Sequence, residues 1–205
     1  MPRPPSPAPG ARGAGAATRE HVLAVAERLF AERGVDGVSM SELAAAAGIS
    51  KGNLFHHFPT KRALHLEVLR RACRDFGSLV EALGEGGIAA GDRLERFVHQ
   101  HLELLGSRPD AVRLVLRTLL DGPPEDAELL AREVFGEHFS ALVERLQPLL
   151  PAGHDAGLTA FVLVAANVIR FLAQPLLPHL AGTEGLRDPD RYARGLAALL
   201  GETVR

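Results

Sequence analysis

The sequence has little of the side-chain chemistry on which several protein classes depend. Among its 205 residues there is one cysteine, one tyrosine and no tryptophan. The single cysteine, Cys73, excludes an intramolecular disulfide framework and a zinc finger. Aromatic residues make up only 5% of the chain, whereas alanine and leucine abound, and no useful strand-like alternation is present. This composition favours an all-α protein.

Targeting and membrane segments are also lacking. The first ten residues contain no apolar core of the kind a secretory signal needs. The longest apolar run, 158–172, is interrupted by Asn167 and Arg170 and is shorter than the roughly 20 residues that span a bilayer. We therefore expect a cytoplasmic protein without a membrane partner.

Catalytic and cofactor motifs are missing as well. The sequence has no nucleophile elbow, no phosphate-cradling glycine loop and no His-Glu-x-x-His run. Glu95, His99 and Glu103 are spaced four apart on one helical face, as metal ligands can be. The same face is otherwise polar, which favours solvated side chains. We expect no enzyme activity, no metal and no cofactor.

What the sequence does contain is a short segment with successive helix-start signals. Ser39 and Glu42 form a capping box, in which each side chain satisfies a backbone N–H of the other. Gly48 stands where a left-handed residue ends a helix. Ser50 is the N-cap of a second short helix, which Pro59 ends. Two short helices around a glycine-containing turn predict a helix-turn-helix unit, which presents its second helix to the DNA major groove.

The second short helix has a donor-rich surface. Asn53 can pair with a base edge, and Phe55 can contact a thymine methyl group or a sugar. Ser39 and Lys61 are expected at phosphates on either side. The whole set of predicted DNA-binding residues is Ser39, Ser50, Lys51, Gly52, Asn53, Phe55, His56, His57 and Lys61. Residues 50–74 hold six cations and one carboxylate in a chain of net charge −2, which indicates a local basic patch.

Residues 18–66 resemble the N-terminal DNA-binding domain of the tetracycline-repressor (TetR/AcrR) family of transcriptional regulators. The resemblance lies in Gly34, Gly37 and residues 26–30, 39–44, 47–55 and 57–61. The family usually has tyrosine where this chain has Phe55. A phenylalanine cannot donate a hydroxyl hydrogen bond, so that contact is lost or passes to His56 or His57.

The remaining chain divides into a tail and a helical body. Residues 1–17, rich in Pro, Gly, Ala and Arg, are expected to be a disordered tail. The alternative is a basic arm of Arg3, Arg12 and Arg19 that reaches into a minor groove. Thr18 is expected to cap the first helix, so residues 18–62 form the DNA-binding domain and residues 63–205 a C-terminal ligand-binding and dimerisation domain. Its helical patterns cover residues 60–82, 91–106, 109–121, 125–149, 155–177 and 188–204.

The segment 155–177 is apolar on almost every side, so it needs burial on every side. One face is expected to pack in the core and the other against a second subunit. Together with the last helix it would form a four-helix bundle across a two-fold axis. The family resemblance implies the same homodimer, which binds a palindromic operator.

Several polar residues interrupt the apolar stripes of the body. Buried polar groups need partners, so His101, His138 and Asn167 satisfy each other or line a cavity. The predicted ligand pocket consists of Phe76, His101, Phe135, His138, Phe161, Asn167 and Phe171. It would take a small apolar or amphipathic effector.

These patterns predict a ligand-responsive transcriptional regulator, a repressor that binds a palindromic operator as a homodimer and is released by an effector. The alternative is a helical protein-interaction or architectural DNA-binding module without an effector. Specific operator binding distinguishes the two.

Overall fold

The computed structural model describes residues 9–122 and 124–201, with side chains for residues 15–122 and 127–201. Every regular element in the described residues is a helix, and none is a strand. The all-α prediction is therefore confirmed. The α-helices are α1 (Pro9–Arg33), α2 (Met40–Ala46), α3 (Lys51–His57), α4 (Lys61–Leu83), α5 (Ala90–Ser107), α6 (Pro109–Asp121), α7 (Pro124–Leu130), α8 (Gly136–Leu146), α9 (Ala156–Ala173), α10 (Glu184–Arg187) and α11 (Pro189–Gly201).

The chain divides into two compact units. The first unit comprises residues 1–72 and 110–123, and the second comprises residues 73–109 and 124–205. Helix α4 therefore contributes residues to both units, and α6 groups with α1–α3 although a long stretch of sequence separates them. The sequence pattern had assigned all residues after 62 to one C-terminal domain.

The core of the first unit follows from helical spacing. Val22, Leu23, Ala26 and Phe30 recur at intervals of three and four on α1 and are all buried. Helices α2 to α4 and α6 cover this stripe with Leu43, Ala44, Leu54, Phe58, Leu64, Val68, Ala111 and Leu114, which are also buried. Helix α2 thus packs against α1, and α3 packs against α2.

Helix α1 begins earlier than the sequence predicted. Residues 9–17, expected to be disordered, are helical, and Thr18 lies inside α1 rather than capping it. Proline is tolerated in a first helical turn, and alanine and arginine favour helix after it. Residues 1–8, including Arg3, lie outside the described residues. Arg19, the last residue of the predicted basic arm, bonds to Glu67 at 2.6 Å instead.

The second unit has its own core. Its buried members come from α4, α5, α8, α9 and α11 and are Val80, Leu83, Leu94, Phe97, Val98, Leu142, Leu146, Ala156, Ala160, Leu163, Tyr192, Ala193, Leu196 and Ala197. The helices predicted at 60–82, 91–106 and 109–121 agree with α4, α5 and α6 within two residues.

Two predicted helices have different bounds. The single helix predicted at 125–149 is divided into α7, a π-helical turn at Ala131–Phe135, α8 and a 3₁₀ turn at Gln147–Leu149. A Cβ atom on Gly136 would clash with the Ala131 carbonyl oxygen, so glycine permits this turn. The helix predicted at 155–177 ends at Ala173, because Pro175 follows and cannot continue it.

Candidate nucleic-acid interface and core polar cluster

The predicted capping box is present at the start of α2. The Ser39 hydroxyl accepts the Glu42 backbone N–H at 3.2 Å, and the Glu42 carboxylate accepts the Ser39 backbone N–H at 2.8 Å. The backbone hydrogen bond from Ser39 is the main reason why the pKa of Glu42 lies below its usual value. The box fixes where α2 begins.

The turn between α2 and α3 has the predicted chemistry. Gly48 has φ of +65°, and the N–H groups of Gly48 and Ile49 bond to the carbonyls of Ala45 and Ala44. This is a Schellman ending, which places the next residues at a set angle to α2. Ser50 then accepts the Asn53 backbone N–H at 3.1 Å and caps α3.

Helix α3 has one buried and one exposed face. Leu54 and the following Phe58 are 0% and 1% exposed, so they anchor the helix to its unit. The opposite face exposes Lys51, Gly52, Asn53, Phe55 and His56, and His57 at its end is partly buried. The structure therefore brings the predicted recognition residues onto a single surface.

Aromatic contacts organise this surface. The ammonium of Lys51 lies 5.9 Å from the centre of the Phe55 ring, which is 40% exposed. The rings of His56 and His57 meet edge to face at 5.6 Å. The surface thus offers an ammonium, an amide, two imidazoles and an apolar ring, which suit phosphate, base-edge and methyl contacts.

Lys61 occupies a different setting from the other predicted DNA-binding residues. Its Nζ atom donates to the carbonyls of Val35 and Val38 at 2.9 and 3.3 Å and lies 3.9 Å from Asp36. Lys61 therefore ties α4 to the turn between α1 and α2. An ammonium has three protons, so one donor remains beyond these two carbonyl bonds.

The basic stretch predicted at 50–74 is partly neutralised within the first unit. Arg71 pairs with Glu20 and Glu27 of α1 at 2.5 and 2.6 Å. Glu67 accepts bonds from Arg19 and Arg70, which lower its pKa although burial, the largest single effect, acts to raise it. Counting charges in a sequence window missed this, because both carboxylates that pair with Arg71 lie on α1. The cationic contribution of α3 itself comes from Lys51.

A polar cluster lies in the core of the second unit. Asn167 and His101, which are 0% and 3% exposed, bond through the amide nitrogen and Nδ1 at 3.1 Å. The Tyr192 hydroxyl donates to the Asn167 side-chain oxygen at 3.1 Å. Burial lowers the pKa of His101 to about 4 and raises that of Tyr192 to about 12. Both groups are therefore neutral at neutral pH.

Arg170 extends this cluster along α9. Its guanidinium carbon lies 4.9 Å from the centre of the Tyr192 ring, and its Nε donates to the Leu186 carbonyl at 2.8 Å. Only 6% of the residue is exposed. Arg170 thereby fixes α10 and α11 against α9.

Four of the predicted pocket residues meet here. Phe76 packs against His101 and His138 with ring centres 5.1 and 6.4 Å apart, and Asn167 completes the set. The His138 ring rests on Gly77, where a Cβ atom would lie 2.7 Å from its Cε1. Sequence reasoning missed Phe97 and Tyr192, which look like ordinary apolar-stripe residues and contact the cluster only in the folded unit.

The other predicted pocket residues lie elsewhere. Phe161 is 64% exposed, so its assignment to an interior pocket of this chain is wrong. Phe135 and Phe171 are partly buried, and no ring contact joins them to the cluster in the part of the chain with described side chains. Because α9 is apolar almost all round, its sequence could not show that Ala160, Leu163 and Asn167 form its inward face.

The outward face of α9 is apolar and exposed. Leu158, Phe161 and Ile169 are each more than 60% exposed. Val162 and Leu172 continue the stripe, and on α11 Leu199 is 75% exposed. Several large apolar side chains exposed along one helix face mark a candidate interaction surface.

The geometry of α1 to α3 defines a helix-turn-helix protein with a second helical unit. Residues 22–68 match the model of the family described as bacterial regulatory proteins, tetR family. The HTH-type transcriptional regulator RutR of Escherichia coli K12 is 29% identical over 141 residues, which cover 69% of this chain and 64% of that protein. The HTH-type transcriptional repressor KstR2 of Rhodococcus jostii RHA1 is 32% identical over 96 residues, 47% of each chain. The chain thus spans less than two thirds of the length of either relative.

Solved structures agree over the whole fold. AibR, solved in complex with isovaleryl coenzyme A and operator DNA, superposes with a TM-score of 0.61 at 22% identity, covering 90% of this chain and 98% of that one. This likeness concerns the fold. The comparisons therefore show that residues 22–68 match the tetR family model, and that the chain is similar in sequence to HTH-type regulators and in fold to AibR.

Proposed function

We propose that the chain is a ligand-responsive transcriptional repressor that binds a palindromic operator as a homodimer and leaves it when a small apolar or amphipathic effector binds. The observation that carries the proposal is the exposed face of α3. Its residues Lys51, Asn53, Phe55 and His56 point away from a helix held by Leu54 and Phe58, as a major-groove reading helix requires.

The individual contacts follow from side-chain chemistry. Asn53 reads a base edge, because its amide can both donate to and accept from adenine. Lys51 meets a base or phosphate, and Phe55 contacts a thymine methyl group or sugar. Ser39 and Lys61 lie at the phosphates on either side, where Lys61 uses the one proton that Val35 and Val38 leave free.

Dimerisation is assigned to the outward face of α9 together with α11. Leu158, Phe161, Val162, Ile169 and Leu172 recur along α9 at intervals of mainly three, four and seven residues, a pattern that suits helix-helix packing. A second copy covers this stripe with the same stripe, in a closed two-fold interface. Two recognition helices then bind adjacent half-sites one DNA turn, or a multiple of it, apart.

Effector binding is assigned to the second unit. Helix α4 contributes residues to both units, so it is the candidate link between effector and operator. An effector changes operator affinity only as far as it binds the two conformational states differently. The operator complex of AibR with a coenzyme A ester and the name of KstR2 as a repressor support this assignment by analogy.

The proposal includes a cytoplasmic location and no enzyme activity. By length and composition α9 could cross a membrane, and 33% of it is buried inside the chain; a single helix of this kind is weak evidence for a membrane span. The named relatives are regulators rather than enzymes.

Selection from a pool of random duplexes with the full chain tests the proposal. We expect a palindromic consensus bound at about 10⁻⁸ M or tighter at physiological salt, against roughly 10⁻⁴ to 10⁻⁶ M for unrelated duplexes. The matched control is the Lys51→Ala, Asn53→Ala variant, which keeps the buried anchors and should lose the selected site. Equal affinity for all duplexes would favour the architectural alternative.

A further inference from the structure

The orientation of the Asn167 amide fixes the tautomer of His101. The Tyr192 hydroxyl donates to the Asn167 oxygen, and no other acceptor for it is found among the described residues. The amide NH₂ therefore faces His101 and donates to Nδ1. A neutral imidazole with an accepting Nδ1 has its proton on Nε2. His101 thus presents a fixed N–H donor at Nε2.

This donor has no partner. His101 is 3% exposed, and its only hydrogen bond to a described residue is the one through Nδ1. Among the described side chains, every nitrogen or oxygen that is sealed from solvent has a hydrogen-bond partner. The Nε2 atom therefore borders space that a water-sized group can enter. A buried donor at such a place is completed by water or by a ligand atom.

The surroundings of the imidazole are apolar and uncharged. The rings of Phe76 and Phe97 flank it, with centres 5.1 and 5.8 Å from its own. No carboxylate, guanidinium or ammonium contacts it among the described residues. The nearest cation of the cluster, Arg170, lies beyond Tyr192 and bonds to a backbone carbonyl. An anion at Nε2 would lose its hydration without gaining a counter-charge.

We propose that the Nε2–H of His101 recognises the effector, and that the effector is an uncharged molecule with a carbonyl-type acceptor on a flat apolar body. The carbonyl oxygen accepts from Nε2, and the body packs between aromatic rings beside Phe76. This inference rests on the proposed function, since it names the chemical class of the effector in the second unit.

The relay from Tyr192 through Asn167 makes His101 selective. If the imidazole gained a proton to attract an anion, Nδ1–H would face the Asn167 NH₂, and two donors would oppose each other. The network therefore holds the neutral tautomer and favours a neutral acceptor over a carboxylate.

Three probes of similar shape test the proposal on the full chain: acetophenone, ethylbenzene and benzoate. The readout is the ¹⁵N signal of the His101 side chain during titration with each probe. We expect the free protein to show the Nε2–H tautomer, acetophenone to shift the Nε2 signal, and its affinity to exceed that of ethylbenzene by about tenfold, the ratio one hydrogen bond gives. Benzoate should bind more weakly than acetophenone.

A His101→Phe variant keeps a ring and removes the donor, so the preference for acetophenone over ethylbenzene should disappear. If this variant does not fold, the ¹⁵N signal of His101 in the wild-type protein, measured with each probe, still tests the proposal. An Nδ1–H tautomer, equal affinity for acetophenone and ethylbenzene, tightest binding of benzoate, or no binding of any probe would each overturn the proposal.

The test of the effector class can fail or succeed independently of the test of the repressor function. The probe titrations need no DNA, and the operator selection needs no probe. Failure of the selection with a retained acetophenone preference would refute the repressor role alone. The converse result would refute only the effector class.

Discussion

The Nε2 atom of His65 lies 3.1 Å from the hydroxyl oxygen of Thr118, so one buried hydrogen bond joins α4 to α6 within the first unit. Thr118 donates its own proton to the Leu114 carbonyl at 2.9 Å and therefore accepts from His65. Near this bond, Arg117 donates to the carbonyls of Ala31 and Glu32 at the end of α1. These contacts explain why α6 groups with the helix-turn-helix unit.

Replacing Thr118 by valine should destabilise the first unit. Valine has a similar shape but leaves the buried donor of His65 without this partner, which costs about 1–3 kcal/mol. Denaturant unfolding of the full chain measures the loss. Thr118→Ser is the matched control, since it keeps the hydroxyl and should retain most of the stability. Equal losses in the two variants would contradict the role of the hydrogen bond.

His101 should make folding stability depend on pH. Its folded-state pKa of about 4 lies below the ordinary 6.5, so between these values the unfolded chain binds more protons. The contribution of His101 to the free energy of unfolding is fully present above pH 6.5. It is lost as the pH falls toward 4, by about 3 kcal/mol for one such group. Chemical unfolding across this range measures it. The non-titrating His101→Gln variant should show a shallower loss, and an identical pH profile would exclude His101 as the cause.

Lys61→Ala should weaken binding to all duplexes alike. Loss of one phosphate contact lowers the slope of log K against log salt by about 0.9. Fluorescence anisotropy at several salt concentrations measures affinity and slope together. An unchanged slope with lower thermal stability would show that Lys61 acts only on the Val35 and Val38 carbonyls.

Asn53→Ala should relax operator specificity at one base pair in each half-site. Its side chain is exposed, and its backbone N–H continues to bond to Ser50 in the variant, so α3 keeps its cap. The discrimination lost should be about 1–3 kcal/mol, the amount a bidentate amide contact provides. Competition between the selected site and single-base variants measures it, with an unrelated duplex as the control. A uniform loss on every duplex would contradict base reading by Asn53.

Ile169→Glu should disrupt the dimer. Ile169 is 62% exposed on the outward stripe of α9, and a carboxylate there would be buried against a second copy without a partner. Sedimentation velocity measures the mass. Leu120→Glu is the matched control, because Leu120 is 80% exposed on α6 and lies in the first unit. The dimer assignment to α9 fails if both variants sediment like the wild type.

Local signals in the sequence determined the helix-turn-helix unit. The capping box of Ser39 and Glu42, the left-handed Gly48 and the cap at Ser50 each involve residues within a few positions of one another, so their chemistry is readable without a fold. The same holds for the buried spacing along α1 and for the bounds of α4 to α6. Short-range hydrogen bonds and helical periodicity suffice for these features.

Only the tertiary structure decided which distant groups meet. The carboxylates of Glu20 and Glu27 neutralise Arg71 across 51 and 44 positions of sequence, and Tyr192 reaches Asn167 across 25. The outward direction of Phe161 and the inward direction of Asn167 depend on the rotation of α9, which an apolar sequence on all sides leaves open. Long-range pairing and helix rotation are set by the packing of the whole unit, so no local pattern in the chain specifies them.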